Sequence, residues 1–287
     1  MGAIAVVTDS TAYLPAELAG RLTIVPLTVV VAGRQGREGD EITPAEVTRA
    51  LAVRPLSVST SQPAPAEFDG AYRRLLADGH TGVVSVHLSA RLSGTATAAA
   101  LAAESFGGRV VVVDSNSVGM GLGFPAFAAA EAAELGHDLQ MVRAAVDAAI
   151  ARTTTFFCVE TLEFLRRGGR IGAAAALLGT ALAVKPVLRV AAEGIVVCDR
   201  VRTQSRAHSR LVDLAVDEAG TGAVDITVHH LAALERAETV YAALLRRLGD
   251  RVRRSYFSEV GAIVGAHVGP GLVGVVVHSV GQRGDAL

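Results

Sequence analysis

The chain predicts an α/β protein of two domains: an N-terminal α/β domain on a parallel sheet, and a C-terminal α+β domain with a largely antiparallel or mixed sheet. Three observations carry this expectation. Short apolar runs alternate with helix-like segments from Ala3 to Arg152, the grammar of parallel strands joined by right-handed crossovers. From about Thr154 that grammar gives way to a hairpin, two helices and further strands. At 287 residues the chain is also long enough for two cores that need no staples. The division is expected near residue 155, giving domains 1–155 and 156–287.

In order, Ala3 to Thr8 reads as a strand, Pro15 to Leu22 as a short helix and Ile24 to Val31 as one extended run. Thr43-Pro44 opens a helix reaching Val53, because a threonine cap before a proline is a helix start. Leu56 to Ser59 and Val83 to Leu88 are strand-like, each leading through a short polar segment to a helix, Ala66 to Leu76 and Ala96 to Ala103. A strand at Arg109 to Asp114 and helices at Gly119 to Leu135 and Asp138 to Arg152 close the first half. In the second, Phe156 to Val159 reads as a strand, Thr161 to Arg167 as a helix stopped by Gly168-Gly169, and 172–183 as an Ala/Leu helix. Val187 to Ala191 and Ile195 to Arg200 form a hairpin. Helices at Ser205 to Glu218 and Leu231 to Leu248, and strands near 223–229, 252–257 and 273–278, complete it.

Composition narrows the function. A net charge of −1, no Trp and 4% aromatics argue against nucleic-acid binding. Cys158 and Cys198 fit no zinc spacing and read as buried, reduced thiols of a cytoplasmic protein. The N-terminus lacks the basic start of a signal peptide. The most apolar stretch, Ile171 to Val184, falls short of the ~20 residues that span a bilayer. Mean hydropathy of +0.41 points instead to an unusually apolar interior.

The segments Thr60-Ser61-Gln62-Pro63 and Leu92-Ser93-Gly94-Thr95 carry the functional reading. Each follows a strand and opens a helix, so the sequence predicts hydroxyls and helix N–H groups converging on an anion at one sheet edge. With no lysine in either, a carboxylate suits the pair better than a polyphosphate. His267, flanked by Gly265 and Gly269, is a candidate third contact. Asp9-Ser10-Thr11 and Asp114-Ser115 read as turns or caps. Gly119, Gly121 and Gly123 form a defective dinucleotide fingerprint that serves close packing better than phosphate binding. His229 and His230 are adjacent on a strand and face opposite ways, so they do not chelate together. Ser93 lacks the GxSxG elbow. A Ser93–His267 acyl hydrolase and a glycine-loop nucleotide-dependent transferase are the alternatives to a binding protein. Arg170 and Arg202, beside turns, are candidates for docking an acidic or phosphate-carrying partner.

Taken in order, these segments resemble the DegV family of bacterial fatty-acid-binding proteins. The likeness runs through Val7-Thr8-Asp9-Ser10-Thr11, Thr60-Ser61-Gln62-Pro63, Leu92-Ser93-Gly94-Thr95, Val113-Asp114-Ser115, Leu162-Glu163-Phe164-Leu165, Gly168-Gly169-Arg170-Ile171, Val184-Lys185-Pro186, Val201-Arg202-Thr203 and His267-Val268-Gly269-Pro270-Gly271. The resemblance implies a non-catalytic carrier of one long-chain fatty acid, with no metal or cofactor. It places Thr60, Ser93 and His267 at the carboxylate, with Ser61, Gly94 and Thr95 as the supporting loop. It also implies delivery to the catalytic subunit of a fatty acid kinase, which makes acyl phosphate for phospholipid synthesis, with Arg170 and Arg202 at the docking surface. A monomer making transient membrane contact for loading fits this picture. Ala173 to Leu188 offers small and aliphatic side chains for an acyl tunnel, although composition alone favours ordinary helix packing there. The chain departs from the family pattern at Ala64, Ala96, Ala266 and Val268, which thins the polar groups around the head-group site.

Overall fold

The computed structural model describes residues 3–53, 58–177 and 184–281. Strand β1 (Ile4–Asp9) is buried along its whole length, as a strand covered on both faces must be. Helix α1 (Ala16–Ala19) is one turn, shorter than the Pro15 to Leu22 expectation. The expected single run Ile24 to Val31 is two strands, β2 (Thr23–Val25) and β3 (Thr28–Val31), parted at Pro26 and placed in different sheets. β3 turns through Ala32 and Gly33, both at positive φ, into β4 (Arg34–Arg37), the geometry of a tight hairpin. Helix α2 (Pro44–Ala52) starts with the expected threonine cap: Thr43 Oγ1 accepts from Glu46 N, and Glu46 accepts in return from Thr43 N at 2.8 Å.

Next come β5 (Val58–Ser61), α3 (Pro65–Ala77), β6 (Gly82–His87), α4 (Thr95–Ala103), β7 (Val110–Asp114), α5 (Met120–Glu134) and α6 (Leu139–Ala151). Of the expected strand Leu56 to Ser59, residues 56–57 lie outside the described residues, and Val58 and Ser59 open β5. The second half runs β8 (Thr153–Cys158), α7 (Glu163–Arg167), a 3-10 turn at Gly172–Leu177, β9 (Lys185–Ala191), β10 (Gly194–Val201), α8 (Gln204–Glu218), β11 (Val224–His230), α9 (Leu234–Leu248), β12 (Val252–Glu259), α10 (Ala262–Val268) and β13 (Val273–Ser279). The described part of the expected 172–183 helix is that 3-10 turn, and the rest lies outside the described residues.

Among the described residues three sheets form. β2-β1-β6-β7 is wholly parallel. β10-β9-β8-β13-β11-β12 is mixed, with only β11 and β12 parallel. The third, antiparallel β4-β3-β5, places Thr60 opposite Val29. The change from parallel to mixed sheet comes with β8, so the expected division at residue 155 falls inside that strand. Helix α10 lies between β12 and β13 in the chain yet packs on α2 and α7, and its Ala262 and Ile263 join the apolar core under the N-terminal sheets. That excursion builds the site.

Candidate functional site

A cavity of about 380 Å³ opens where the two hydroxyl segments meet, within the ~300–1,000 Å³ range of small-molecule sites. The segments reach it differently from the sequence expectation. Thr60 and Ser61 sit in β5, an antiparallel strand, and helix α3 begins only at Pro65. Ser93 follows parallel strand β6, and α4 is capped by Gly94 without a side-chain bond. The two helix starts therefore do not share one sheet edge, and hydroxyls rather than helix ends line the mouth. The segments nevertheless touch: a Cβ on Gly94 would stand 1.9 Å from Gln62 Oε1. Gln62, which sequence reasoning did not assign, packs over Gly94 because that residue has no side chain.

His267 arrives on the last turn of α10, not in the glycine loop expected. Its Nε2 lies 2.8 Å from Thr60 Oγ1, while Nδ1 is buried without a partner. Burial and the Arg170 guanidinium depress its pKa to about 4, so the ring is neutral. An imidazole donating through Nε2 leaves the Thr60 proton free for a bound carboxylate. Ser93 Oγ lies 2.9 Å from Thr95 Oγ1, which holds the serine at the cavity wall. Arg170 donates through Nε to Leu92 O at 2.9 Å and through Nη1 to Gly168 O, bringing a guanidinium to the lining. Of the two expected docking residues, Arg170 also lines the cavity, while Arg202 is exposed, just before α8, and lines neither it nor its neighbour.

The loop carrying Ser93 is pinned from three sides. Asp9 Oδ2 accepts from Leu88 N at 3.0 Å, Asp114 Oδ2 accepts from Ala90 N at 3.1 Å, and Arg170 holds Leu92 O. Both aspartates also close the local turns expected of them, Asp9 by accepting from Thr11 N and Asp114 from Asn116 N. Asp9 continues into a buried chain: His87 Nδ1 lies 3.0 Å from Asp9 Oδ2, His87 Nε2 lies 2.7 Å from Ser85 Oγ, and Tyr72 OH donates to Ser85 Oγ at 2.9 Å.

Deeper in, the wall is apolar, with Phe157, Leu165, Val190, Ile195 and Leu272 drawn from one packed cluster. None of the described residues from 173 to 188 lines this cavity, 178–183 lying outside the described residues; its apolar wall draws on β8, α7 and the β9–β10 hairpin. His229 shows the cavity a spent imidazole. Nε2 accepts from Met120 N at 3.0 Å, so Nδ1 carries the proton and donates to Ser258 Oγ at 3.0 Å; burial depresses the pKa to about 4. His230 faces the other way, against Phe257.

The alternative chemistries find little to build on. Ser93 is bonded to Thr95, and His267 to Thr60 with no acid on its second nitrogen, so no Ser–His–acid relay forms there. A Cβ on Gly119 would meet His229, on Gly121 Ser117 and Thr155, on Gly123 Met120; these glycines admit close packing. Among the described residues no group of three His, Cys, Asp or Glu could hold a metal, and no helix is long and apolar enough to cross a membrane. Cys158 is buried, its thiol pushed up to about 12, but Cys198 is exposed at a bulge of edge strand β10, correcting the expectation of two buried thiols.

Comparison with known proteins now decides the family. The model of the "Uncharacterised protein, DegV family" matches residues 3–280. The chain belongs to the DegV family. A DegV domain-containing protein of Streptomyces coelicolor is 50% identical over 281 residues, covering 96% of this chain and 98% of its own. A DegV family protein from Thermus thermophilus described for its fatty acid binding superposes with a TM-score of 0.91 at 35% identity, over 97% of this chain and all of its own. DegV of Bacillus subtilis, a fatty acid binding protein, gives 0.87 at 31% identity over 98% and 100%. In this DegV family member a second cavity, about 430 Å³, adjoins the first and shares Thr60, Arg170 and His267 with it. The Thr60–His267 pair is thus a partition with space on both sides.

Proposed function

We propose that this chain binds a long-chain fatty acid, with the carboxylate at Thr60, Ser93 and His267 and the acyl chain in the cavity, and carries it without chemistry of its own. One observation carries the reading: hydroxyls, a neutral imidazole and a guanidinium cluster at one part of a cavity whose remainder is lined by Phe157, Leu165, Val190, Ile195 and Leu272. Burying some fifteen methylenes at ~0.8 kcal/mol each gives on the order of 12 kcal/mol before ordering costs. The head group then supplies orientation, and Arg170 gives its charge a partner. The fatty-acid-binding relatives from Thermus thermophilus and Bacillus subtilis support the same ligand class.

Within this proposal the protein is a cytoplasmic monomer of two domains, dividing near residue 155, that touches membranes only to load. It hands the acid to a fatty acid kinase that forms the acyl phosphate for phospholipid synthesis. Arg170 and exposed Arg202 are the docking candidates. Arg202→Glu should slow acyl phosphate formation with a partner kinase and leave fatty acid affinity unchanged.

Native mass spectrometry of protein from a heterologous host tests the core of the proposal. A fatty acid adduct is expected, and Thr60→Val with Ser93→Ala should weaken retention on the order of a hundredfold, two charge-assisted hydrogen bonds being lost. Protein that carries no acyl ligand and takes up none when supplied would refute it.

A further inference from the structure

Glu38, which follows β4, is a buried acid that the cavity does not touch. Its two oxygens receive three donors: Ser10 Oγ at 2.5 Å, Ile263 N at 2.8 Å and Tyr13 OH at 3.1 Å. The direction of each bond follows from its neighbours. Ser10 Oγ already accepts from Leu27 N at 3.0 Å, so its own proton goes to Glu38. The Tyr13 hydroxyl accepts from Val264 N at 3.2 Å, so its proton goes there too. A group that accepts from three donors and donates to none is suited by an ionised carboxylate, and an amide would offer N–H groups on the Ser10 side and deprive that hydroxyl of its acceptor. Burial pushes the Glu38 pKa up, and the bonds from Ser10, Ile263 and Tyr13 pull it back.

Two of these bonds, one direct and one through Tyr13, end on backbone N–H groups in the first turn of α10, which the helix leaves without internal partners. Ile263 and His267 are four residues apart and share a helix face. Gly261 makes the approach feasible, because a Cβ there would stand 2.2 Å from Glu38 Oε1 and 2.5 Å from Tyr13 Cε1. An acid from one end of the chain thereby fixes a helix from the other, and that helix supplies Ile263, Val264, His267 and Val268 to the cavity wall.

We propose that Glu38 is a positioning residue for the head-group site: by anchoring the first turn of α10, directly at Ile263 and through Tyr13 at Val264, it sets where His267 meets Thr60. Its consequence for ligand release rests on the fatty acid reading; its consequence for the imidazole does not. The full-length protein and its Glu38→Gln variant would be compared in two measurements, NMR titration of the His267 ring without ligand and the dissociation rate of a fluorescent fatty acid. In the folded variant the ring should titrate closer to the ordinary histidine value, and the acid should leave on the order of tenfold faster. Tyr13→Phe should move both readouts in the same direction by less. A folded Glu38→Gln protein with the wild-type titration and release rate would overturn the proposal. Should that variant not fold, the same two measurements on Tyr13→Phe decide, with unchanged values overturning it. If the wild-type protein binds no fatty acid, the carrier reading falls and the His267 titration alone decides the role of Glu38.

Discussion

Two regions pair a serine with a histidine in ways that bear on hydrolysis, one buried under the parallel sheet and one at the cavity, and they differ in connectivity and access. Under the parallel sheet, Ser85, His87 and Asp9 have the connectivity of a catalytic relay, with bonds of 2.7 and 3.0 Å, but all three side chains are fully buried. At the cavity, Ser93 and His267 have access but not connectivity, each being bonded to a threonine instead. A nucleophile needs both a base and a path for substrate. The buried set serves the exposed one, because Asp9 also holds Leu88 N at the root of the loop that carries Ser93.

The largest effect should come from breaking the buried set. Asp9→Ala strands His87, Thr11 and Leu88 N without their common acceptor. Each buried donor left without an acceptor costs about 1–3 kcal/mol, so urea denaturation should show a loss of about 3 kcal/mol or more. Ser85→Ala should cost less, about 1–3 kcal/mol, since it leaves a neutral donor or acceptor unpaired. Neither variant should change the rate at which the protein hydrolyses a nitrophenyl ester. Ester turnover that Ser85→Ala abolished would break the comparison outright.

Acid should separate the two regions next. Burial holds His229, His267 and His278 near pKa 4, below the ordinary value of 6.5. The unfolded chain therefore binds more protons than the folded one between those values, and stability falls as pH drops from about 6.5 to 4. The integrated loss is on the order of 3 kcal/mol at most for each ring. A carboxylate bound beside His267 favours its protonated form and should offset that ring's share. Melting temperatures with and without fatty acid should therefore diverge on acidification. Parallel curves would mean that the anion does not sit beside His267.

Much of this was legible from the residues. The alternating strands, the Thr43 cap and the hairpin could be read because each rests on local chemistry or spacing, and the segments carrying Thr60, Ser93 and His267 do line one cavity. The third sheet was not. Its β4 is Arg-Gln-Gly-Arg, with no apolar alternation to announce a strand, and it forms only because β3 offers it an edge. α10 was missed because seven residues containing Gly265 carry too little helical pattern, and its stability comes from α2, α7 and the Glu38 bonds. Glu38 itself lies in a polar, glycine-bearing run that reads as a surface loop. For Arg170, sequence shows a charge beside a turn but not the fold of its side chain back onto Leu92 O, so its place in the cavity wall was not legible.

The smallest effect should come where the two hydroxyl segments touch, and it separates stability from grip. Gly94 has φ −76° and ψ 8°, a conformation that alanine accepts. A methyl there would displace only the far end of the Gln62 side chain, which is free to rotate. The loss of a glycine cap and the reduced freedom of the unfolded chain nearly cancel, so Gly94→Ala should change stability by less than about 1 kcal/mol. Gly269→Ala is the contrast: its φ is +71° and the Phe164 ring lies 2.2 Å from the new Cβ, so backbone strain and a rigid clash add. Its cost should exceed that of Gly94→Ala by about 1–3 kcal/mol. Fatty acid release should reverse the emphasis, with Gly94→Ala accelerating it about threefold because Gln62 no longer packs over the mouth. Unchanged release in Gly94→Ala would mean that the head group is held by Thr60, Ser93 and His267 without help from the contact that joins their segments.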